Sequence, residues 1–169
     1  MLPGNDVPQS PSSGSDADRA LMEQALTCAR EADVLGEVPV GAVIADATGA
    51  VVARAANAPI ARHDPTAHAE MLALRAAGRA FGNYRLSGCV LYVTLEPCAM
   101  CVGALVHARV ARIVYGAPDP KTGACGSVFE LASNARMNHR IDVMGGVLAE
   151  ESAALLKRFF TARRSRDAL

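Results

Sequence analysis

The chain has 169 residues, 51% hydrophobic yet only 4% aromatic, and its 17 Lys and Arg balance 17 Asp and Glu. That length suits one domain, since about 150 residues bury roughly 70% of the surface they expose when unfolded. No apolar run reaches the roughly 20 residues of a membrane-spanning helix, and a formal charge of zero excludes a global attraction to nucleic acid, so any polyanion site must be local. Five cysteines, an odd number without a secretory apolar segment, point to a reducing compartment, by default the cytoplasm, where thiols bind metal or stay free.

Residues 1–18 hold Pro3, Pro8 and Pro11 among glycines and serines, with too few apolar side chains to offset the entropy of ordering. They read as a disordered tail ahead of one domain over 19–169. From Ala20, the residues Leu21, Ala25, Cys28, Ala29 and Ala32 recur at helical spacing until Gly36, which gives an amphipathic helix with Cys28 on its apolar face. Apolar runs at 38–45 and 51–56, around Asp46-Ala47-Thr48-Gly49, read as a β-hairpin. Asp64-Pro65, in cap and first-turn positions, predicts a helix over 66–79. A buried strand over 88–94, a helix from Pro97 to about His107 and a strand over 111–115 follow. The connection after them carries a short helix near Phe129, and the chain closes with a strand over 141–144 and a helix over 149–163. Strands linked by helices favour a layered α/β sheet with parallel pairs.

His68-Ala69-Glu70 and Pro97-Cys98-Ala99-Met100-Cys101 carry the chemistry. Pro97 sets the backbone for a helix start, so Cys98 and Cys101 lie three apart in a first turn and both sulfurs can face one point. Unpaired N–H groups and the positive end of the helix dipole favour thiolates there, the form that binds zinc. Two helix starts can meet along one sheet edge and bring one His and two Cys together. Three protein ligands leave the fourth tetrahedral position to water, the mark of a catalytic zinc, whereas four mark a closed structural one. His63, Cys89, His107 and Cys125 are the alternative fourth ligands, but none stands at a ligand spacing from the pairs. A structural zinc and a redox dithiol are the competing readings, and the second leaves the His-x-Glu unexplained.

The combined pattern H-x-E and P-C-x-x-C is the signature of zinc nucleobase deaminases. Asn57-Ala58-Pro59-Ile60-Ala61-Arg62-His63-Asp64-Pro65-Thr66-Ala67-His68-Ala69-Glu70, Leu91-Tyr92-Val93-Thr94-Leu95-Glu96-Pro97-Cys98, Asp119-Pro120-Lys121-Thr122-Gly123 and Met137-Asn138-His139-Arg140 closely resemble the bacterial tRNA-specific adenosine deaminases, within the cytidine/deoxycytidylate deaminase superfamily. The likeness runs from about Leu21 to Arg164. It implies a three-layer cytidine-deaminase-like fold, a central mixed five-stranded sheet flanked by helices, and a homodimer with one zinc per subunit. It also implies hydrolytic conversion of adenosine to inosine at the wobble position of a tRNA anticodon, by a zinc-activated water and a glutamate proton shuttle. Carried over by motif, His68, Cys98 and Cys101 hold zinc, Glu70 shuttles protons, and Asn57 hydrogen-bonds the purine. Asp119, Phe159, Phe160 and Arg163 match positions that contact the anticodon stem-loop. The chain departs from the pattern in its tail, at Pro118 and Pro120 flanking Asp119, and at Cys125, where a small residue without a thiol is expected.

One local clue is independent of the resemblance. Residues 157–169 hold five basic side chains against the single acid Asp167, with Phe159 and Phe160 among them, which suits base stacking and phosphate contact. A packed terminal helix with a solvated basic face has the same composition. The zinc motifs fix deamination but not the base, so a deaminase of free guanine, cytidine or a similar nucleoside stays open. A non-catalytic zinc-bearing RNA-binding subunit is the third reading, and the intact Glu70 argues against it.

Overall fold

A computed structural model of the chain describes residues 14–167, so residues 1–13 of the expected tail lie outside the described residues. Residues 14–18 are structured. The Ser15 hydroxyl accepts from the Asp18 amide at 3.0 Å while the Asp18 carboxylate accepts from the Ser15 amide at 3.1 Å. This reciprocal cap starts α1 (Asp16–Val34) ahead of the expected Ala20.

β1 (Gly41–Ala45) and β2 (Val51–Ala56) form the expected antiparallel hairpin, with Gly41 opposite Ala56. β3 (Val90–Leu95) pairs antiparallel with β1 and parallel with β4 (Arg112–Ala117), which pairs parallel with β5 (Asp142–Met144). The strand order β2-β1-β3-β4-β5 is the mixed five-stranded sheet that the resemblance implies. Four helices follow α1 in chain order: α2 (Pro59–Arg62), α3 (Ala69–Phe81), α4 (Ala99–His107) and α5 (Ala149–Asp167).

β1 is buried along its whole length, which is why it reads as a continuous apolar run. Alternation still sorts its side chains between the two faces. Ala42 and Ile44, with Leu91, Val93 and Ile113 of the neighbouring strands, pack with Ala73 and Leu74 of α3 and with Val102 and Leu105 of α4. Val43, Tyr92 and Val114 pack with Met22 and Leu26 of α1 and with Leu155 of α5. Helices on both faces make the three layers. Gly41 lies directly under α1, where a Cβ would fall 2.5 Å from the Ala29 amide nitrogen, so only glycine permits this approach.

Three local expectations give way. Asp64 does not cap a helix: its carboxylate accepts from the Thr66 amide at 2.8 Å and the Thr66 hydroxyl at 2.7 Å, a turn that postpones α3 to Ala69. α2 was not foreseen, because four residues are too few to show a period. No helix forms near Phe129 among the described residues. The Val128 and Phe129 amides both donate to the Gly123 carbonyl at 3.0 Å, which closes the segment into a loop instead. Among the described residues no helix is long and apolar enough to cross a membrane.

Asp18, only 4% exposed, ties α1 to the sheet. Its carboxylate accepts from Arg112 at 3.0 and 3.1 Å and from the Tyr92 hydroxyl at 3.0 Å. Burial opposes its charge, but the donated hydrogen bonds outweigh burial and hold Asp18 below its ordinary value of 3.8. Burial and the Asp18 carboxylate together push Tyr92 up to about 12. A depressed folded-state pKa contributes stability that is present above the unfolded pKa and lost as the pH falls through the folded one. Asp18→Asn should therefore cost about 3 kcal/mol in urea unfolding near neutral pH. The difference from wild type should shrink on acidification below about pH 4. A gap unchanged by acid would show that the carboxylate charge contributes nothing.

Candidate active site

The sheet register brings the functional segments to one edge. Gly41 pairs with Ala56, Ala42 with Val93, and Leu95 with Ala117, so the residues just beyond these strand ends, Val40, Asn57, Glu96 and Asp119, gather together. In sheets with parallel strands, ligands sit outside the carboxyl ends of those strands, here β3 and β4.

α3 and α4 both begin at this edge. His68 and Cys98 are their N-cap residues, both extended, at φ −68° ψ 151° and φ −77° ψ 172°, and neither side chain bonds its own helix. They turn toward each other instead. His68 Nδ1 lies 3.7 Å from Cys98 Sγ and 3.5 Å from Cys101 Sγ, with all three donor atoms within 4.8 Å of one another. Tetrahedral zinc, with bonds of about 2.0–2.1 Å to nitrogen and about 2.3 Å to sulfur, spaces such ligands about 3.6 Å apart. The donor set fits that ion.

The local electrostatics agree. Hydrogen bonding from the Cys101 thiol and then from His68 lowers Cys98 to about 4, in spite of burial. Cys101, donating to Cys98 and buried, is held protonated far above the ordinary thiol range. His68 is raised, chiefly by its hydrogen bond with Cys98. Making both sulfurs thiolates beside a buried carboxyl calls for a divalent cation, which deprotonates the thiols it binds. Glu70, the second residue of α3 and 4% exposed, is raised by burial to about 7. That value is poised for both accepting and donating a proton.

A cavity of about 220 Å³ joins these groups, lined by Val38, Asn57, His68, Glu70, Cys98 and Asp119, among others. Asp119 lines it while committing its carboxylate to its own loop, accepting from the Lys121 amide at 2.9 Å and the Thr122 hydroxyl at 2.7 Å. Phe159, Phe160 and Arg163 do not reach this cavity. They lie on α5, where Phe159 and Arg163 line a separate cavity with Asp33, Gly36, Arg158 and Arg166. A larger cavity of about 620 Å³ beside α3 and α4 shares no residue with the metal cluster. Cys28, Cys89 and Cys125 are buried outside the cluster, and burial raises all three, Cys125 to about 12.

Two residues that position the site were missed in the sequence. Glu96, 2% exposed, accepts from the amides of Asp119 at 2.9 Å, Cys125 at 3.0 Å and Ser127 at 3.0 Å, and from the Ser127 hydroxyl. Burial opposes its charge, yet these donors, the Ser127 hydroxyl foremost, hold it below its ordinary range. Gly123 is required beside it, because a Cβ there would lie 2.6 Å from the Asp119 carbonyl oxygen. Glu37, 1% exposed, accepts from the amides of Ile60 at 3.2 Å and Ala61 at 2.7 Å, and so fixes the loop that follows Asn57. The available signal was an acid abutting an apolar strand, where a charge must be buried and satisfied.

Residues 15–117 match the cytidine and deoxycytidylate deaminase zinc-binding region, which places the donor set in a zinc-dependent deaminase. The chain is 49% identical to the tRNA-specific adenosine deaminase of Haemophilus influenzae over 150 residues, covering 89% of this chain and 87% of that protein. It is 44% identical to the tRNA-specific adenosine deaminase of Bacillus subtilis over 149 residues, covering 88% and 92%. It also superposes, with a TM-score of 0.78 and 46% identity, on a solved structure from studies of A-to-I editing by tRNA:A34 deaminases, covering 81% of this chain and 99% of that one. The chain belongs to the family of tRNA-specific adenosine deaminases.

The purified protein should carry one zinc per chain by plasma mass spectrometry. Cys101→Ser should lower that content well below one while the helical circular dichroism persists. A variant that still holds a full equivalent of zinc would remove Cys101 from the ligand set.

Proposed function

We propose that the protein hydrolyses adenosine to inosine at the wobble position of a tRNA anticodon, releasing ammonia. The observation that carries this reading is the joining of His68, Cys98, Glu70 and Asn57 in one small cavity, in a chain 44% to 49% identical to tRNA-specific adenosine deaminases. At about 220 Å³ the cavity is below the roughly 300–1,000 Å³ of drug-sized pockets. It suits a single base turned out of its stack, with sugar and phosphates left outside.

His68, Cys98 and Cys101 would hold the zinc, which when bound supplies Lewis acidity that makes water nucleophilic at neutral pH. The chain's own residues do the rest. Glu70 accepts a proton from the attacking water as the oxygen bonds to the carbon bearing the amine. The same carboxyl passes that proton to the ring nitrogen, then takes the remaining proton of the added hydroxyl and gives it to the leaving amine, so that the carbon–nitrogen bond breaks, the oxygen stays as the carbonyl of inosine and ammonia departs. Asn57, buried at the cavity wall, holds the purine edge and orients it. Val38, Val40 and Leu95 exclude bulk water from the base.

Outside the cavity, we assign Phe159, Phe160 and Arg163 to the anticodon stem-loop. Phe160 is 42% exposed, its ring meets Phe159 edge-on at 5.4 Å, and the Arg163 guanidinium lies 5.9 Å from the Phe159 ring centre. The exposed Phe160 ring, beside a partly buried Phe159 and a cation, suits base stacking with phosphate contact. We further infer a homodimer, from the family resemblance, and a cytoplasmic location, where the five free thiols stay reduced. Sedimentation equilibrium should return the mass of two chains.

Offered anticodon stem-loops and free nucleosides side by side, the enzyme should form inosine in the stem-loop, read by mass spectrometry of the digested RNA. Deamination confined to cytidine or guanine would overturn the substrate and leave the zinc chemistry standing. Glu70→Gln should keep its zinc and lose about 10²–10⁴-fold in turnover. Normal turnover in that variant would remove the proton shuttle.

A further inference from the structure

Asn57 is shared by two cavities. One is the base cavity; the other, of about 360 Å³, is lined by Arg54 of β2, Arg62 of α2, and Arg75 and Arg79 of α3. Four arginines from three elements line it in a chain whose formal charge is zero. Arg75 is partly engaged, 3.9 Å from the Asp64 carboxylate and donating to the Thr66 hydroxyl at 3.2 Å. Among the described residues, Arg54, Arg62 and Arg79 pair with no carboxylate. Like charges that outnumber the nearby Asp64 carboxylate repel one another, and an anion relieves that repulsion. A guanidinium fork presents paired N–H donors that match phosphate oxygens, which an ammonium does not.

The surroundings say which phosphates. Leu35, 72% exposed, lines the arginine cavity, while the next residue, Gly36, lines the cavity of Arg158, Arg163 and Arg166 on α5. The two basic cavities therefore flank one turn, and the first of them abuts the base cavity at Asn57. Cations on this path extend from the catalytic cavity toward the end of α5.

We propose that the Arg54, Arg62, Arg75 and Arg79 cavity binds backbone phosphates of the RNA strand next to the edited nucleotide, as a polyanion site additional to α5. This rests on the polynucleotide substrate proposed above. Held through its phosphates, the strand is positioned by these arginines while the base cavity selects the base.

The test measures the Kd of an anticodon stem-loop by fluorescence anisotropy over a series of salt concentrations, with zinc content and Tm confirming that each variant is folded. For single strands, each phosphate contact contributes about 0.7 to the slope of log affinity against log salt. The double variant Arg54→Ala, Arg79→Ala should weaken binding and flatten that slope by about 1.4. Replacing both with lysine should restore much of the slope. Arg19→Ala with Arg140→Ala removes the same charge from exposed positions outside every cavity described above, and should change the slope far less. A slope in the Arg54, Arg79 double variant equal to wild type would overturn the proposal, as would an equal effect from the Arg19, Arg140 pair. If wild type itself fails to bind stem-loops in a salt-dependent way, the polynucleotide reading fails as well, which separates the two failures.

Discussion

Two helix N-termini held at one edge of a sheet are the constraint on which the site depends. The first turn of a helix leaves N–H groups unpaired and concentrates the positive end of the dipole, which favours thiolate and carboxylate groups. α3 contributes His68 and Glu70 this way, and α4 contributes Cys98 and Cys101. Neither cap side chain satisfies its own helix, so both are available to a common centre. The strand register makes the arrangement possible. β3 lies between β1 and β4, and its last residue, Leu95, leads through Glu96 and Pro97 into Cys98. A one-residue slip of β3 would exchange its buried faces and move the cysteine pair away from His68.

The loops around the cavity need a different kind of restraint, because neither has a ladder of its own. Each is held by one buried carboxylate. Glu37 gathers two amides of the α2 segment, and Glu96 gathers three amides and a hydroxyl of the loop that carries Asp119. A buried charge is costly unless its oxygens are fully hydrogen-bonded, and backbone amides in a fixed loop provide those bonds without mobile side chains. The dependence is mutual. The loop satisfies the charge, and the charge selects the one loop conformation that satisfies it. Both rims of the cavity are thereby rigid before any substrate arrives.

What the sequence disclosed, and what it hid, follows from the range of the interactions. α1, the hairpin and the strands that carry the core were legible, since burial on one or two faces leaves a period in the apolar residues. The metal donors were legible because Cys98 and Cys101 share one turn and His68 sits two residues before Glu70. The start of α3 was misjudged, because an aspartate followed by proline satisfies either a helix cap or a local turn, and Thr66 decides for the turn through its hydroxyl. Glu37 and Glu96 were invisible as positioning groups because their partners lie 23 to 31 residues away and are backbone amides, which every residue except proline possesses. The arginine cavity was hidden for the same reason: Arg54, Arg62, Arg75 and Arg79 are unremarkable in the chain and become a cluster only when β2, α2 and α3 pack.

The distribution of charge separates recognition from chemistry. The base cavity is lined by Cys98 and the carboxyl groups of Glu70, Glu96 and Asp119 and by no Lys or Arg, so it offers a phosphate no basic side chain. A neutral base can enter it, whereas its phosphates gain nothing by following. The cations that attract an RNA strand must therefore lie outside the cavity yet close enough to deliver one nucleotide to it. The residues around Asn57 meet that requirement, with the reactive side facing Glu70 and His68 and the arginines lining the adjoining cavity. On this arrangement phosphate contacts set how tightly a polynucleotide is held, and the cavity sets which base reacts. A free nucleoside forfeits the first contribution and keeps the second, so a chain with zero net charge can still favour a polyanion where it matters.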